Sequence, residues 1–288
     1  VRTPLTPSDH RPMRTQSKKI VIRPGKQPLA EALQEFWEYR DLLWMLVVRQ
    51  VSVRYKQTAI GIIWVLLQPL TAMAIFTVIF GYFAKLATNG LPYPIFVYSA
   101  LVLWTLFSEG LSRAGTSLIA DEKLITKVYF PRLIIPLAAV GSAWIDFAIS
   151  LVVLLPLTYL YGLRPTWSLL LLPLAMFVTM VLSSGVGMLL AALNVKYRDF
   201  QYTVPFLIQI WLYGSPVVYS TSIVPEALRP FYYLNPMAGL IELSRFAVTG
   251  QGTIPWMGLG ISVGVAIAFF LLGSTVFRQI ERSFADVI

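Results

Sequence analysis

Glu109 and Arg113 stand four residues apart inside an otherwise apolar run. That spacing puts both on one helix face, with the acid in the favoured N-terminal position. An unpaired charge in the middle of a membrane helix costs about 2.5–3.5 kcal/mol on insertion scales, so such residues pair or face a polar path. Thr105, Ser112 and Thr116 extend the same stripe. Two readings stand side by side: a packed ion pair, or a polar wall lining a pathway. A second apolar run carries Asp146 with Ser142 and Ser150 one turn either side, and Arg113 is a candidate partner for it across a bundle.

Other polar groups sit at the edges of apolar runs. Arg54, Tyr55 and Lys56 directly precede one that contains Gln68 and Pro69. Cations at such a boundary face anionic headgroups and fix orientation. Further on, Phe206, Trp211, Tyr213 and Tyr219 are interleaved with Pro205, Gln209, Gly214 and Pro216, and Tyr232 and Tyr233 follow. In a water-filled path their faces offer apolar contact to sugar rings. The bland alternative is an interfacial belt or helix packing.

Several chemistries are excluded. Cysteine is absent and the single histidine, His10, lies in a proline-rich stretch, so no thiolate or imidazole cluster can hold a metal. Gly25-Lys26 lacks the upstream glycine spacing and following hydroxyl of a phosphate loop, so the chain cannot hydrolyse ATP by that route. No nucleophile–base pair or carboxylate cluster is evident. The reading is of a non-enzyme that binds no cofactor itself. If it moves something uphill, another subunit supplies the energy.

The elements that must position these residues are membrane helices. The 288 residues are 57% hydrophobic and only 13% charged, against about 25% charged in soluble domains. The formal charge of +9 belongs to residues flanking apolar segments, which argues for lipid rather than nucleic acid as the anionic partner. The pattern predicts an all-α polytopic membrane protein. Residues 1–28, with five prolines, read as a disordered basic arm. Leu29, Leu33, Phe36, Trp37 and Leu43 predict an amphipathic interface helix over 29–55. Six spans are expected near 59–84, 93–116, 134–161, 167–193, 203–219 and 254–277, with turns at Asn89-Gly90 and Gly162. Between the last two spans, Pro225, Pro230 and Pro236 cut 225–249 into two short pieces that suit re-entrant helices. Eleven cations precede the first span, and the loops on the same side carry Lys123, Lys127, Arg132, Lys196 and Arg198, while the opposite loops receive only Lys85, Arg164, Arg229 and Arg245. The positive-inside rule therefore places both termini in the cytoplasm. Gly187-x-x-x-Ala191 and Gly260-x-x-x-Gly264 are candidate close contacts between helices.

Three stretches, "RQVSVRYKQTAIGIIWVLLQPL" (49–70), "NVKYRDF" (194–200) and "SPVVYSTSIVPEALRPFYYLNPMAGLIELSR" (215–245), resemble the membrane subunit of bacterial polysaccharide ABC exporters of the ABC-2 type, nearest the O-antigen export permeases. The resemblance runs in order from about residue 29 to the end. It implies a bacterial inner-membrane homodimer working with two separate ATPase subunits, where ATP and Mg bind, and a polyprenyl-pyrophosphate-linked polysaccharide as cargo. It also implies a cytoplasmic coupling segment, here 119–132 with Asp121, Glu122, Lys123, Lys127 and Tyr129. The two pieces at 225–249 become the helices of the outer mouth, and Arg54, Tyr55 and Lys56 meet the lipid headgroup. Capsule or teichoic-acid polymers are alternative cargoes. A permease for a small lipophilic drug shares the fold, whereas a polyprenyl-phosphate enzyme or a stand-alone transporter differs in needing clustered acids or no motor.

Overall fold

The computed structural model describes residues 37–56, 61–127, 130–163, 166–197 and 199–281, and among these every regular element is helical. The arm 1–28 and the start of the foreseen interface helix lie outside the described residues.

Helix α1 (Arg40–Lys56) buries Leu46 and Val47 and partly buries Leu42, Leu43 and Val51. Trp37, Trp44, Met45 and Val48 are exposed. The expected grouping of Trp37 with Leu43 on one face therefore fails. Trp37 stands before the turn at Tyr39, outside α1, so the continuous helical spacing expected between it and Leu43 is interrupted. The helix has one apolar side for the bundle and another for lipid.

Helix α2 (Gly61–Phe76) contains Pro69 and runs into a π-helical stretch, Thr77–Phe83. It exposes Ile63, Trp64, Leu67, Ile75, Val78 and Phe83, an apolar outer wall. The foreseen turn follows, with Asn89 at φ 55° and Gly90 at φ 85°, the left-handed pair that Asn-Gly favours.

Helix α3 (Tyr93–Ala120) is the axis of the molecule, buried along most of its length. Its 28 residues reach about 42 Å at 1.5 Å per residue, enough to cross a hydrocarbon core of about 30 Å. The short α4 (Glu122–Lys127) follows, then α5 (Ile134–Leu160). A 3₁₀ turn (Trp167–Leu171) leads into α6 (Leu172–Lys196), and α10 (Trp256–Glu281) closes the chain. Helices α5 and α6 flank α3, and α10 packs on α6. Among the described residues, five helices are long and apolar enough to cross a membrane: Ile63–Phe83, Tyr93–Ala120, Ile134–Leu160, Trp167–Lys196 and Trp256–Glu281.

The foreseen segment at 203–219 is shorter as a helix. Helix α7 (Phe200–Tyr213) has 14 residues and gives way to turns from Gly214. Pro205 lies inside it, past the first turn, and removes the backbone donor for the Gln201 carbonyl, while Gly214 and Pro216 end it. Beyond it come 3₁₀ turns at Thr221–Ile223 and Glu226–Leu228, then α8 (Arg229–Tyr232) and α9 (Pro236–Thr249). The two short pieces read from the proline pattern are thus present as helices. Asn235 separates them, with Pro236 opening the second.

The tightest helix crossing lies where the sequence offers no repeat motif. A Cβ on Gly273 of α10 would come within 1.9 Å of the Gly185 carbonyl oxygen on α6, and one on Gly185 would meet the Phe270 backbone at 2.5 Å. Gly187 closes on Ala114, whereas Gly260 and Gly264 face open space. The cause is backbone proximity, which only glycine permits. Gly273→Ala is therefore expected to destabilise the protein by about 1–3 kcal/mol or more, while Gly264→Ala leaves the melting temperature of the detergent-purified protein unchanged.

Candidate functional site

The acid–base pair on α3 forms as its spacing requires: Arg113 Nη2 donates to Glu109 Oε2 at 2.9 Å. Arg113 also donates to Ser142 Oγ at 3.0 Å and to the Asp146 carboxylate on α5. The cross-bundle pairing of Arg113 with Asp146, open in the sequence, is made. Arg54, near the end of α1, completes the group, donating to Asp146 Oδ2 at 2.8 Å and lying 3.5 Å from Glu109 Oε2. The Tyr55 hydroxyl donates to the other Asp146 oxygen. Burial, reinforced by that carboxylate, pushes the Tyr55 phenol well above its usual range, so it remains a donor.

Two guanidiniums and two carboxylates from three helices thus form a formally neutral network. Its burial is graded: the side chains are 3% exposed at Asp146, 20% at Arg113, 28% at Glu109 and 36% at Arg54. The deep end ties α1 to the bundle and the shallow end opens outward. Between Ile95 and Leu118 of α3, Thr105, Ser108, Glu109, Ser112, Arg113 and Thr116 are the less buried positions of a helix otherwise packed shut. The polar stripe is therefore a half-open face. Lys56 is exposed beside it.

At the same end of α3, Arg49 pairs with Asp121, joining α1 to the segment that leads into α4. Glu122, Lys123 and Lys127 of that segment are exposed, and Tyr129 lies outside the described residues. Arg132 returns to α10, its backbone N–H donating to Glu281 Oε1 at 3.2 Å and its Nη1 to the Glu281 carbonyl at 3.3 Å.

The aromatic candidates are not gathered on one surface. Phe206 and Tyr213 are exposed on α7. Trp211 turns inward, edge-on to Phe107 with ring centres 4.9 Å apart, and its Nε1 donates to Asn235 Oδ1 at 2.8 Å. Tyr219 and Tyr232 are half-buried and share a hydroxyl contact of 2.9 Å. Tyr233 is buried, donating to Glu242 Oε2 at 2.7 Å.

That last bond belongs to a second polar cluster, at the opposite end of α3, which sequence reasoning missed. Glu242 also accepts from Thr221, and burial raises its carboxyl pKa against the pull of the Tyr233 bond and of Arg245 and Arg229. Arg245, counted in the sequence only as a loop cation, is 7% exposed and lies over the Phe96 ring, 3.6 Å from its centre. Its guanidinium donates to the carbonyls of Phe96 (3.2 Å), Val217 (2.9 Å) and Pro216. Asn235 caps α9 through Met237 N and holds the broken end of α7 through the Gly214 carbonyl (2.9 Å) and Ser215 Oγ (3.0 Å). Asn-Pro at a helix start was the available signal for it.

Among the described residues, no group of three or more His, Cys, Asp or Glu side chains could hold a metal ion. The charges serve one another and the backbone. Membrane-length helices wrapped around such internally paired charges make this a polytopic membrane protein.

The chain belongs to the ABC-2 type transporter family, which matches residues 41–248, from the start of α1 to the end of α9. It is 30% identical over 260 residues to the O-antigen export system permease protein RfbA of Myxococcus xanthus, covering 89% of this chain and 98% of that one. It is 26% identical to an O-antigen export system permease protein RfbA of Klebsiella pneumoniae, over 86% of this chain and 95% of that one. With the polysialic acid transport protein KpsM of Escherichia coli it shares 22% identity, over 83% and 93%.

Proposed function

We propose that this chain is the permease subunit of an ATP-driven exporter that carries polyprenyl-pyrophosphate-linked polysaccharide, specifically O-antigen, across the bacterial inner membrane. The observation that carries this reading is the match to the Myxococcus O-antigen permease over nearly the whole of both chains. Identity to the polysialic acid protein is lower, which favours O-antigen over capsule as cargo. In this reading the protein is a homodimer served by two ATPase subunits that bind ATP and Mg. Both termini are cytoplasmic, α7 with its broken extension is the fifth of six crossings, and 225–249 re-enters the membrane at the outer mouth. Residues 1–28 form an arm and 29–288 the transmembrane domain.

The graded network supports an intake role on the cytoplasmic side. Arg54, Tyr55 and exposed Lys56 lie where a pyrophosphate headgroup in the inner leaflet would arrive, at the shallow end of the half-open stripe on α3. Asp121, Glu122, Lys123, Lys127 and Tyr129 transmit the motor's movement, and the Arg49–Asp121 pair passes it to α1. Phe206 and Tyr213 face the glycan, with Trp211, Tyr219, Tyr232 and Tyr233 supporting the wall.

The test separates charge from architecture. Arg54 holds the network together, so its removal disturbs folding as well as binding. Lys56→Gln removes only an exposed cation. In a strain lacking its own permease and supplied with this chain and its ATPase, wild type is expected to restore surface O-antigen. Lys56→Gln is expected to lower the amount several-fold with membrane levels unchanged. Normal surface polymer in the variant removes Lys56 from the headgroup role, and no polymer with wild type removes the export reading itself.

A further inference from the structure

At the end of α3 remote from the Arg49–Asp121 pair, a cavity of about 320 Å³ opens between the Asn89 turn, the 3₁₀ turn at Thr221–Ile223, α9 and the stretch after it. Its volume is at the lower end of the range for small-molecule sites, about 300–1,000 Å³. The polar wall carries Asn89, Ser222, Glu242, Gln251 and Thr253, and Phe246 adds an apolar side.

The chemistry of that wall is selective. Both Glu242 oxygens accept hydrogen bonds, from Thr221 and Tyr233, and each retains a further lone pair. The two arginines of the lining are engaged. Arg245 is bound to three carbonyls, and Arg229 donates to the Val224 carbonyl at 3.1 Å and lies 3.5 Å from Glu226. An anion would meet a carboxylate and committed cations. An apolar ligand would strand the amides and hydroxyls without partners. A sugar fits both demands, because its hydroxyls donate to Glu242 and exchange bonds with the side-chain amides while its C–H face packs on Phe246. The wall is also held in place beforehand: Asn89 Nδ2 donates to Ser220 Oγ at 3.0 Å and Ser222 Oγ donates to Ser220 Oγ at 2.9 Å.

We propose that this cavity binds an uncharged sugar residue of the exported glycan as the chain leaves the membrane, with Glu242 as principal acceptor. The inference rests on the polysaccharide-export reading and adds to it a docking site of defined chemistry.

The experiment uses the full chain with its ATPase in lipid nanodiscs. The probe is the host's own surface polysaccharide, released from lipid by mild acid, and its apparent Kd is read by saturation-transfer NMR. Thr253→Trp fills the cavity from an exposed rim position and is expected to abolish binding, whereas Thr253→Ser preserves it. Glu242→Gln keeps the shape but weakens the charge-assisted bonds, and is expected to raise Kd about tenfold. Inorganic phosphate is expected not to compete. Unchanged binding in Thr253→Trp or in Glu242→Gln, or displacement by phosphate, overturns the proposal. A wild-type complex that exports polymer in cells yet binds no released glycan overturns the docking site and leaves the export reading standing. One that does neither overturns both.

Discussion

Asp146→Ala is expected to destabilise the protein by about 3–5 kcal/mol, the loss associated with removing one partner of a buried ion pair. Asp146 is the deepest of the four charges and the only one touched by both arginines and Tyr55. Without it, Arg54 and Arg113 face one carboxylate, Glu109, and a buried positive charge is left over. With domain stabilities of about 5–15 kcal/mol, that loss lowers the melting temperature and the yield of folded protein. Asp146→Asn keeps the acceptor for Tyr55 and is expected to lose less. The discriminating variant is Asp146→Leu with Arg113→Met, which removes acid and base together. Replacing a whole buried pair by apolar groups is often near neutral, so the double variant is expected to melt closer to wild type than Asp146→Ala does, a non-additivity that coupled residues show. The comparison is made by thermal unfolding in detergent. A wild-type melting temperature for Asp146→Ala would mean that the network does not hold α1 to the bundle.

The same network shows how far the sequence could be read. The i,i+4 spacing disclosed the Glu109–Arg113 pair because helix geometry is local, and Asp146 declared itself as a charge in an apolar run. That Arg54 would join them was not legible, since the contact spans 92 positions and depends on how α1 lies against α5. The glycine crossing has the same cause: Gly185 and Gly273 meet through tertiary approach, while the repeat motif at Gly260 and Gly264 faces open space. The break at Asn235 was readable from Pro236, whereas Gly214 and Pro216 were read inside a span expected to run to 219 and the helix ends at Tyr213. Arg245 was misread because its charge suggested water, although two of its three carbonyl partners, Pro216 and Val217, lie in the irregular stretch after Tyr213.

Arg245→Met is expected to be the second most damaging substitution, costing more than about 3 kcal/mol. Bonds from a charged donor contribute about 1.5–3 kcal/mol each, and this guanidinium makes them to Val217 and Pro216 as well as to Phe96. Phe96 lies within α3, whose own ladder can serve its carbonyl. Pro216 and Val217 lie in the irregular stretch after α7, where helical partners are lacking, so their desolvated oxygens are the groups stranded by the change. Methionine retains much of the packing over the Phe96 ring, so what it removes is polar. Arg245→Lys keeps the charge but replaces the planar fork by a single nitrogen, which cannot span three acceptors in fixed directions. It is expected to recover only part of the loss. Limited proteolysis supplies the readout that distinguishes this role from a general loss of stability: Arg245→Met should open the backbone around 214–224 at temperatures where α3 and α6 remain protected. Uniform loss of protection across the bundle, or a melting temperature within a degree or so of wild type, would show that Arg245 does not hold the broken segment in place.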